Sequence, residues 1–124
     1  MKFQLCAQRM RLRIDETELD RLLHEGVVED TTVFAPEQRY SRRLRLDEID
    51  GPELRSELRP ADAALTVVLP RSQFEAFAAA RPRRDGFEFE WQAVGADPLR
   101  VVVEIDVRDS HRQARSGAGR SGSI

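Results

Sequence analysis

The chain is written twice, and that constrains its fold more than any single residue does. Met10-Arg11-Leu12-Arg13-Ile14 leads into Leu19, Leu22 and Leu23, and Leu65-Thr66-Val67-Val68-Leu69 leads into Phe74, Phe77 and Ala78. One offset of 55 residues relates Leu19 to Phe74, Leu22 to Phe77 and Leu23 to Ala78. A strand-then-helix unit therefore recurs with its apolar positions in register, and self-similarity of this kind is evidence of architecture. Two further strand-like runs follow each helix, and they end in similar words, Asp47-Glu48-Ile49-Asp50 and Val103-Glu104-Ile105-Asp106. The expectation is one α+β domain over residues 1–108, with repeat 1 at about 2–50 and repeat 2 at about 54–108. Its two strand-helix-strand-strand repeats make a mostly antiparallel sheet or a small closed barrel with two helices.

Local pattern fills in the elements. Phe3 and Leu5 alternate with polar neighbours, and Met10, Leu12 and Ile14 alternate in the opposite phase, so a turn or bulge near Ala7 to Arg9 absorbs the switch, giving two short strands or one bent strand. Asp15 and Glu18 have capping-box spacing, and Gly26 suits the position just past the end, which predicts a helix over Glu16 to Glu25. Val27 to Phe34 reads as a strand ended by Pro36, and Leu44 and Leu46 alternate with Arg43, Arg45 and Asp47 in the next, with Ile49 a further candidate for the same face. Leu54 and Leu58, between Gly51-Pro52 and Arg59-Pro60, fit a helical turn or the middle of a strand equally well. Leu65 to Leu69 is apolar on both faces, which predicts a central strand or one covered by a partner chain. Pro70 then opens the second helix at its first position. Phe87, Phe89 and Trp91 alternate with glutamates, and Val101, Val103, Ile105 and Val107 alternate with Glu104 and Asp106, the clearest hairpin in the chain. Apolar residues nearly vanish from Asp109 onward, which predicts a disordered Ser/Gly/Arg tail over 109–124.

Bulk properties bound the function class. A chain of 124 residues, 40% hydrophobic, can bury a core without disulfides or metal. The net charge of −2 averages a basic first pair of strands against an acidic stretch after Glu48, so it argues neither for nor against a nucleic-acid partner. Cys6 is the only cysteine, the N-terminus lacks a signal-peptide pattern, and no apolar run approaches the roughly 18 residues that span a bilayer. The expected location is the cytoplasm, with no membrane partner. Lys2 is the only lysine among many arginines, which looks like the coding bias of a GC-rich bacterium.

No catalytic, cofactor or metal constellation emerges. Gly117-Ala118-Gly119-Arg120-Ser121-Gly122 matches a dinucleotide-binding glycine pattern only in letters, because no strand, helix and downstream acid surround it. His24 sits at a helix end, where an imidazole offsets the dipole, and His111 stands at the edge of the tail. Two charged groups remain. Glu88, Glu90, Glu104 and Asp106 are expected to share one face of the last hairpin, where like charges need a neutralising cation, partner or arginine. Arg9, Arg11, Arg13, Arg42, Arg43 and Arg45 are candidates for contact with nucleic acid or a protein partner, or for pairing with those acids inside one sheet. Tyr40 is the only aromatic residue near them, so base stacking is poorly served. Trp91 falls on the inward phase and reads as core.

The sequence resembles an uncharacterised family of small bacterial proteins, a domain of unknown function. The resemblance rests on Met1-Lys2-Phe3, Met10 to Ile14 with Glu18-Leu19, Gly26 to Thr32, Leu65 to Pro70 and Val101 to Asp106. Members end in a Lys-Asp-Phe-x-Cys-like motif, where this chain has Ile105-Asp106-Val107-Arg108-Asp109. The family resemblance implies no activity. Leu69-Pro70, the helix at Phe74 and Asp85-Gly86-Phe87-Glu88-Phe89-Glu90 are also similar to the swapped-hairpin domains of transition-state regulators and antitoxins, which implies DNA binding by basic residues near a first strand. Only the first copy, with Arg11 and Arg13, carries such charge. The leading expectation is a non-enzymatic cytoplasmic domain acting through protein contacts, self-association included. Nucleic-acid binding through the arginine strands is the alternative, and a small-molecule or enzyme site in a small barrel is the third reading.

Overall fold

The computed structural model describes residues 1–48, 57–60, 62–80, 85–92 and 95–106. Repeat 1 contributes β1 (Lys2–Cys6), β2 (Arg9–Ile14), α1 (Glu16–Glu25), β3 (Val27–Ala35) and β4 (Gln38–Asp47). Repeat 2 contributes β5 (Glu57–Pro60), β6 (Ala64–Pro70), α2 (Arg71–Ala79), β7 (Phe87–Trp91) and β8 (Leu99–Ile105). The strands form two four-stranded sheets, ordered β1-β2-β8-β7 and β3-β4-β6-β5. Each sheet thus takes the leading hairpin of one repeat and the trailing hairpin of the other, and exchanging the repeats turns one order into the reverse of the other. The fold is α+β with a pseudo-two-fold axis.

Backbone hydrogen bonds obey the same symmetry. The Arg100 N–H donates to the Gln8 carbonyl, and the Ser41 N–H donates to the Ala63 carbonyl, both at 3.0 Å. At the join, β2 runs parallel to β8 and β4 runs parallel to β6. Each sheet is therefore mixed, with one parallel and two antiparallel pairings, so antiparallel pairing remains the majority. The sheets also stay open, because neither order closes on itself, so the barrel expectation is replaced by two facing sheets. Hairpins can join only antiparallel strands, so parallel pairs arise where strands from different repeats meet.

The register also corrects the alignment of the repeat ends. Leu44 pairs with Val28 and Val67, and Val103 pairs with Phe87 and Leu12. Leu44-Arg45-Leu46-Asp47 is hence the counterpart of Val103-Glu104-Ile105-Asp106, at an offset of 59 rather than the 55 of the helices. Four extra residues between α2 and β7 account for the difference. The likeness of Glu48-Ile49-Asp50 to Glu104-Ile105-Asp106 is coincidental, and Arg45 occupies the position of Glu104.

Local chemistry explains the helix boundaries. The Glu18 N–H donates to Asp15 Oδ1 (2.7 Å) and the Asp15 N–H donates to Glu18 Oε1 (3.0 Å), a complete capping box. At the other end Gly26 adopts φ 82°, and its N–H donates to the Leu22 carbonyl at 2.8 Å. Pro70 ends β6 and is the cap of α2 rather than its first helical residue. The ambiguous segment around Leu58 pairs as a strand with β6, so β6 is central in its sheet, between β4 and β5. Ile49, Leu54, Val107, His111 and the tail from Asp109 lie outside the described residues.

The core fills the space between the sheets. Met10, Leu12 and Ile14 from one sheet and Leu44, Leu46, Leu65, Val67 and Leu69 from the other are buried together, with Val101 and Val103. Leu19 and Leu22 of α1 and Phe74, Phe77 and Ala78 of α2 join them. Phe74, Phe77 and Phe87 form a triangle with centroids 5.7–5.8 Å apart, which fastens α2 to β7. Arg71, in the first turn of α2, donates through Nη1 to the Leu23 carbonyl at 3.0 Å and so links the two helices.

Candidate functional site

Strand direction sorts the molecule into two ends. The helices follow β2 and β6 directly, so they lie at one end, and the turns at Ala7-Gln8 and Pro36-Glu37 lie at the other. At that turn end the two sheets do not meet. They leave a cleft of about 530 Å³ lined by Phe3, Leu5, Met10, Tyr40, Leu65, Trp91 and Leu99, with Cys6, Gln8 and Asp97 among its polar members. Pseudo-symmetry builds it: Met10 and Leu65 are counterparts at the start of β2 and β6, and Tyr40 and Leu99 are counterparts on β4 and β8. Met10 and Leu65 are buried, whereas Tyr40 and Leu99 are only partly covered. Leu5 is 62% exposed at the rim. Gln8 Nε2 donates to the Asp97 carbonyl at 3.1 Å, which ties the two rim turns together.

Beside the cleft one hairpin is longer than its counterpart. β6 first pairs with β4 at Ser41, so Gln38 to Tyr40 and their partners on β3 extend beyond the sheet as a two-stranded arm. In repeat 2, β7 ends at Trp91, the counterpart of Thr32, and Gln92, the counterpart of Val33, lies outside the strand. The arm's register shifts between Val33 and Ala35, which leaves Phe34 outside the pairing. Val33 and Phe34 are 59% and 72% exposed. A bulge that re-aims a side chain is a recurrent device at strand ends next to binding sites.

The six arginines fall into three places. Arg9, Arg11 and Arg13 lie on the outer face of the first sheet, because Met10, Leu12 and Ile14 point inward. Arg11 donates to Glu104 through Nε (2.9 Å) and Nη2 (3.0 Å), and Arg13 donates to Glu104 Oε1 through Nη2 at 3.2 Å. Partial burial of Glu104 raises its pKa, but the hydrogen bonds and charges of Arg11 and Arg13 outweigh this and hold it below the usual carboxylate range. The Arg11 guanidinium is in turn held above its ordinary value, chiefly by its hydrogen bond to Glu104. Arg43 and Arg45 lie on the outer face of the second sheet, where Arg43 makes two 3.3 Å hydrogen bonds to Glu29.

Arg42 is different, since it shares the inward phase of Tyr40 and Leu44. Its guanidinium lies 5.8 Å from the centre of the Phe3 ring, donates to Thr32 Oγ1 at 2.9 Å and pairs with Asp30 at 3.4 Å. It thus bridges the sheets behind the cleft wall.

Glu88, Glu90 and Glu104 fall on the outer face of the first sheet, each with a different neighbour. Glu88 pairs in register with Val102 and Glu90 with Arg100, while Glu104 stands across from Arg13. Asp106, just past β8, lines a small depression with Lys2, Arg13 and Glu18. His24 Nδ1–H donates a 2.8 Å hydrogen bond to the Asp20 carbonyl on α1, at the end of the molecule away from the cleft. Trp91 is only half-buried, and it lines the cleft instead of sitting in closed core.

The cleft and the arm are what sequence reasoning missed. The consecutive apolar residues Val33-Phe34 just before Pro36 break strict alternation and are the one local signal for the arm.

Among the described residues no helix is long and apolar enough to cross a membrane. A protein-family model, described as a family of unknown function (DUF7009), matches residues 1–115. No curated protein and no solved structure matches the chain.

Proposed function

The chain belongs to this family of unknown function, and from that premise we propose that it is a non-enzymatic cytoplasmic domain acting through protein contacts, with the apolar cleft as its contact site. One observation carries the reading. Seven large apolar residues from both repeats line an open cleft of about 530 Å³ beside exposed Leu5, Val33 and Phe34. Exposed apolar surface concentrated at one end of a small domain marks an interaction site, since it is costly to leave in water. Apolar side chains presented by another protein suit it better than a reacting substrate, because its polar members are Cys6, Gln8, Asp97 and the Tyr40 hydroxyl, with no histidine or basic group among the described residues that line it. The arginine faces support this reading over nucleic acid, because Arg11, Arg13, Arg42 and Arg43 are already paired with Glu104, Asp30 and Glu29.

Trp91 is the only tryptophan and lines the cleft, so it reports on occupancy. In dilute solution the dye anilinonaphthalene sulfonate is expected to bind with energy transfer from Trp91, and Leu5→Glu is expected to weaken binding about tenfold. A folded protein that gives no transfer would remove the cleft as a contact site.

A further inference from the structure

We infer that a partner protein docks on the free edge of β1, adding to the first sheet an extended segment whose side chains alternate between apolar and acidic. The inference rests on the reading of the cleft as a contact site and names the partner's chemistry. β1 is an edge strand, and the phase of its ladder shows which backbone groups it leaves open. At either end of β2, the Gln8 and Ile14 carbonyls accept from Arg100 and Asp106, so even-numbered residues there face β8 and odd-numbered ones face β1. Arg9, Arg11 and Arg13 therefore bond Cys6, Gln4 and Lys2, and the N–H and C=O groups of Phe3 and Leu5 point out of the sheet. The side chains of the same two residues line the cleft. A strand laid along β1 thus finds donors, acceptors and an apolar hollow together.

Pseudo-symmetry sets this edge apart from the others. Pro60 on β5 pairs with Leu65 as Leu5 on β1 pairs with Met10, so Pro60 is the counterpart of Leu5. In that sheet the Ala63 carbonyl accepts from Ser41, the same phase, so the Pro60 nitrogen also faces outward. Proline has no N–H to offer there, which closes the edge to further pairing. The other two edges carry devices of their own: β3 breaks register between Val33 and Ala35, and β7 carries Glu88 and Glu90. β1 runs in unbroken register with Lys2 as its only charge.

The outer side of the same hairpin sets the partner's charge. Lys2 and Gln4 on β1 and Arg11 and Arg13 on β2 line a depression of about 130 Å³ that no described acid lines with them. Glu104 beside it answers the two arginines, and Lys2, opposite Arg13, forms no ion pair with a described residue. Successive side chains of a strand point to opposite faces, so an added segment that turns apolar residues to the cleft presents its alternate ones to this depression. Acidic residues suit it. A β1 strand from a second copy would bring another Lys2 to the same cations.

Titration of the full chain with a synthetic peptide that alternates glutamate with valine around a central phenylalanine tests the inference, read by Trp91 emission and amide hydrogen exchange. Exchange of the Phe3 and Leu5 N–H groups is expected to slow at least about tenfold when the peptide is added. N-methylation of one alternate set of peptide nitrogens is expected to abolish binding and of the other set to leave it unchanged, because only one set faces β1. Replacing the peptide's glutamates by lysines, or Lys2→Glu in the protein, is expected to weaken binding about tenfold at low salt. Leu5→Ala keeps the edge N–H and Leu5→Pro copies Pro60, so Leu5→Pro is expected to bind at least about tenfold more weakly than Leu5→Ala. Should Leu5→Pro fail to fold, the N-methylated peptides test the same hydrogen bonds on wild type. A glutamate peptide that does not bind at about 1 mM, or one that binds without protecting Phe3 and Leu5, overturns strand addition. If that protein still binds anilinonaphthalene sulfonate beside Trp91, the cleft remains a contact site in another mode. A lysine peptide that binds as well as the glutamate one, or a wild type that self-associates with Phe3 and Leu5 protected in the absence of peptide, also overturns the inference.

Discussion

Arg13 on β2 stands directly across from Glu104 on β8, and the pseudo-symmetric position in the other sheet is occupied by Val68 across from Arg45. The two halves thus neutralise their outer faces differently. In the first sheet one glutamate at a central join gathers two arginines from the neighbouring strand. In the second the paired arginine is Arg43, two positions before Arg45 on the central strand β4, and its acid, Glu29, comes from β3. The duplicated backbone tolerates either sign because outer-face positions define where a charge goes and not which charge it is.

Removing the shared acid leaves Arg11 and Arg13 facing each other without a counter-charge. Glu104→Gln is expected to lower stability by about 1–2 kcal/mol at neutral pH, measured by urea unfolding. The figure is modest because both arginines are partly in water.

The same carboxylate sets a pH dependence. Its pKa in the folded chain is depressed, so its stabilising contribution is fully present above the unfolded value of about 4.3 and is lost as pH falls through the lower folded value. Wild type should therefore lose stability more steeply than Glu104→Gln on acidification below about pH 4.3. Parallel acid-unfolding curves for the two proteins would contradict the pairing.

Gly86 is required for steric reasons. A Cβ there would lie 2.6 Å from Val102 Cγ1 and 3.0 Å from the Val103 carbonyl oxygen, so β7 could not approach β8. Gly86→Ala is expected to cost about 1–3 kcal/mol in thermal or urea unfolding. Gly95, with open space around it, has no such neighbour, although its positive φ still disfavours a side chain.

Core and cleft are separable by mutation. Phe74 is fully buried against Phe77 and Phe87, and Phe74→Ala is expected to cost about 3–5 kcal/mol. Leu5→Ser, at the rim, should change stability by no more than about 0.5 kcal/mol while reducing dye binding in the cleft. If Leu5→Ser destabilises as Phe74→Ala does, the rim is structural.

Paired arginines have little left for phosphates. A short DNA duplex is expected to show no mobility shift with wild type at low salt, whereas Glu104→Gln, with Arg11 and Arg13 released, should show a weak salt-sensitive one. A strong shift by wild type would favour the nucleic-acid reading.

By itself the sequence determined the elements whose cause is local. The capping box at Asp15 and Glu18, the Gly26 terminus and the alternation of Phe87 to Trp91 each depend on residues a few positions apart, so each is legible from the order of residues alone. The repeat of Leu19, Leu22 and Leu23 in Phe74, Phe77 and Ala78 likewise announces two similar units. Only the tertiary structure decided how those units combine. That β2 lies beside β8 rather than within its own repeat depends on contacts more than 90 residues apart in the chain, and apolar alternation is the same whichever strand lies alongside. The cleft has the same origin. Met10, Leu65, Tyr40 and Trp91 all carry the pattern of core residues, and only the assembled sheets make Met10 and Leu65 a buried floor and leave Tyr40 and Trp91 half-covered at an opening.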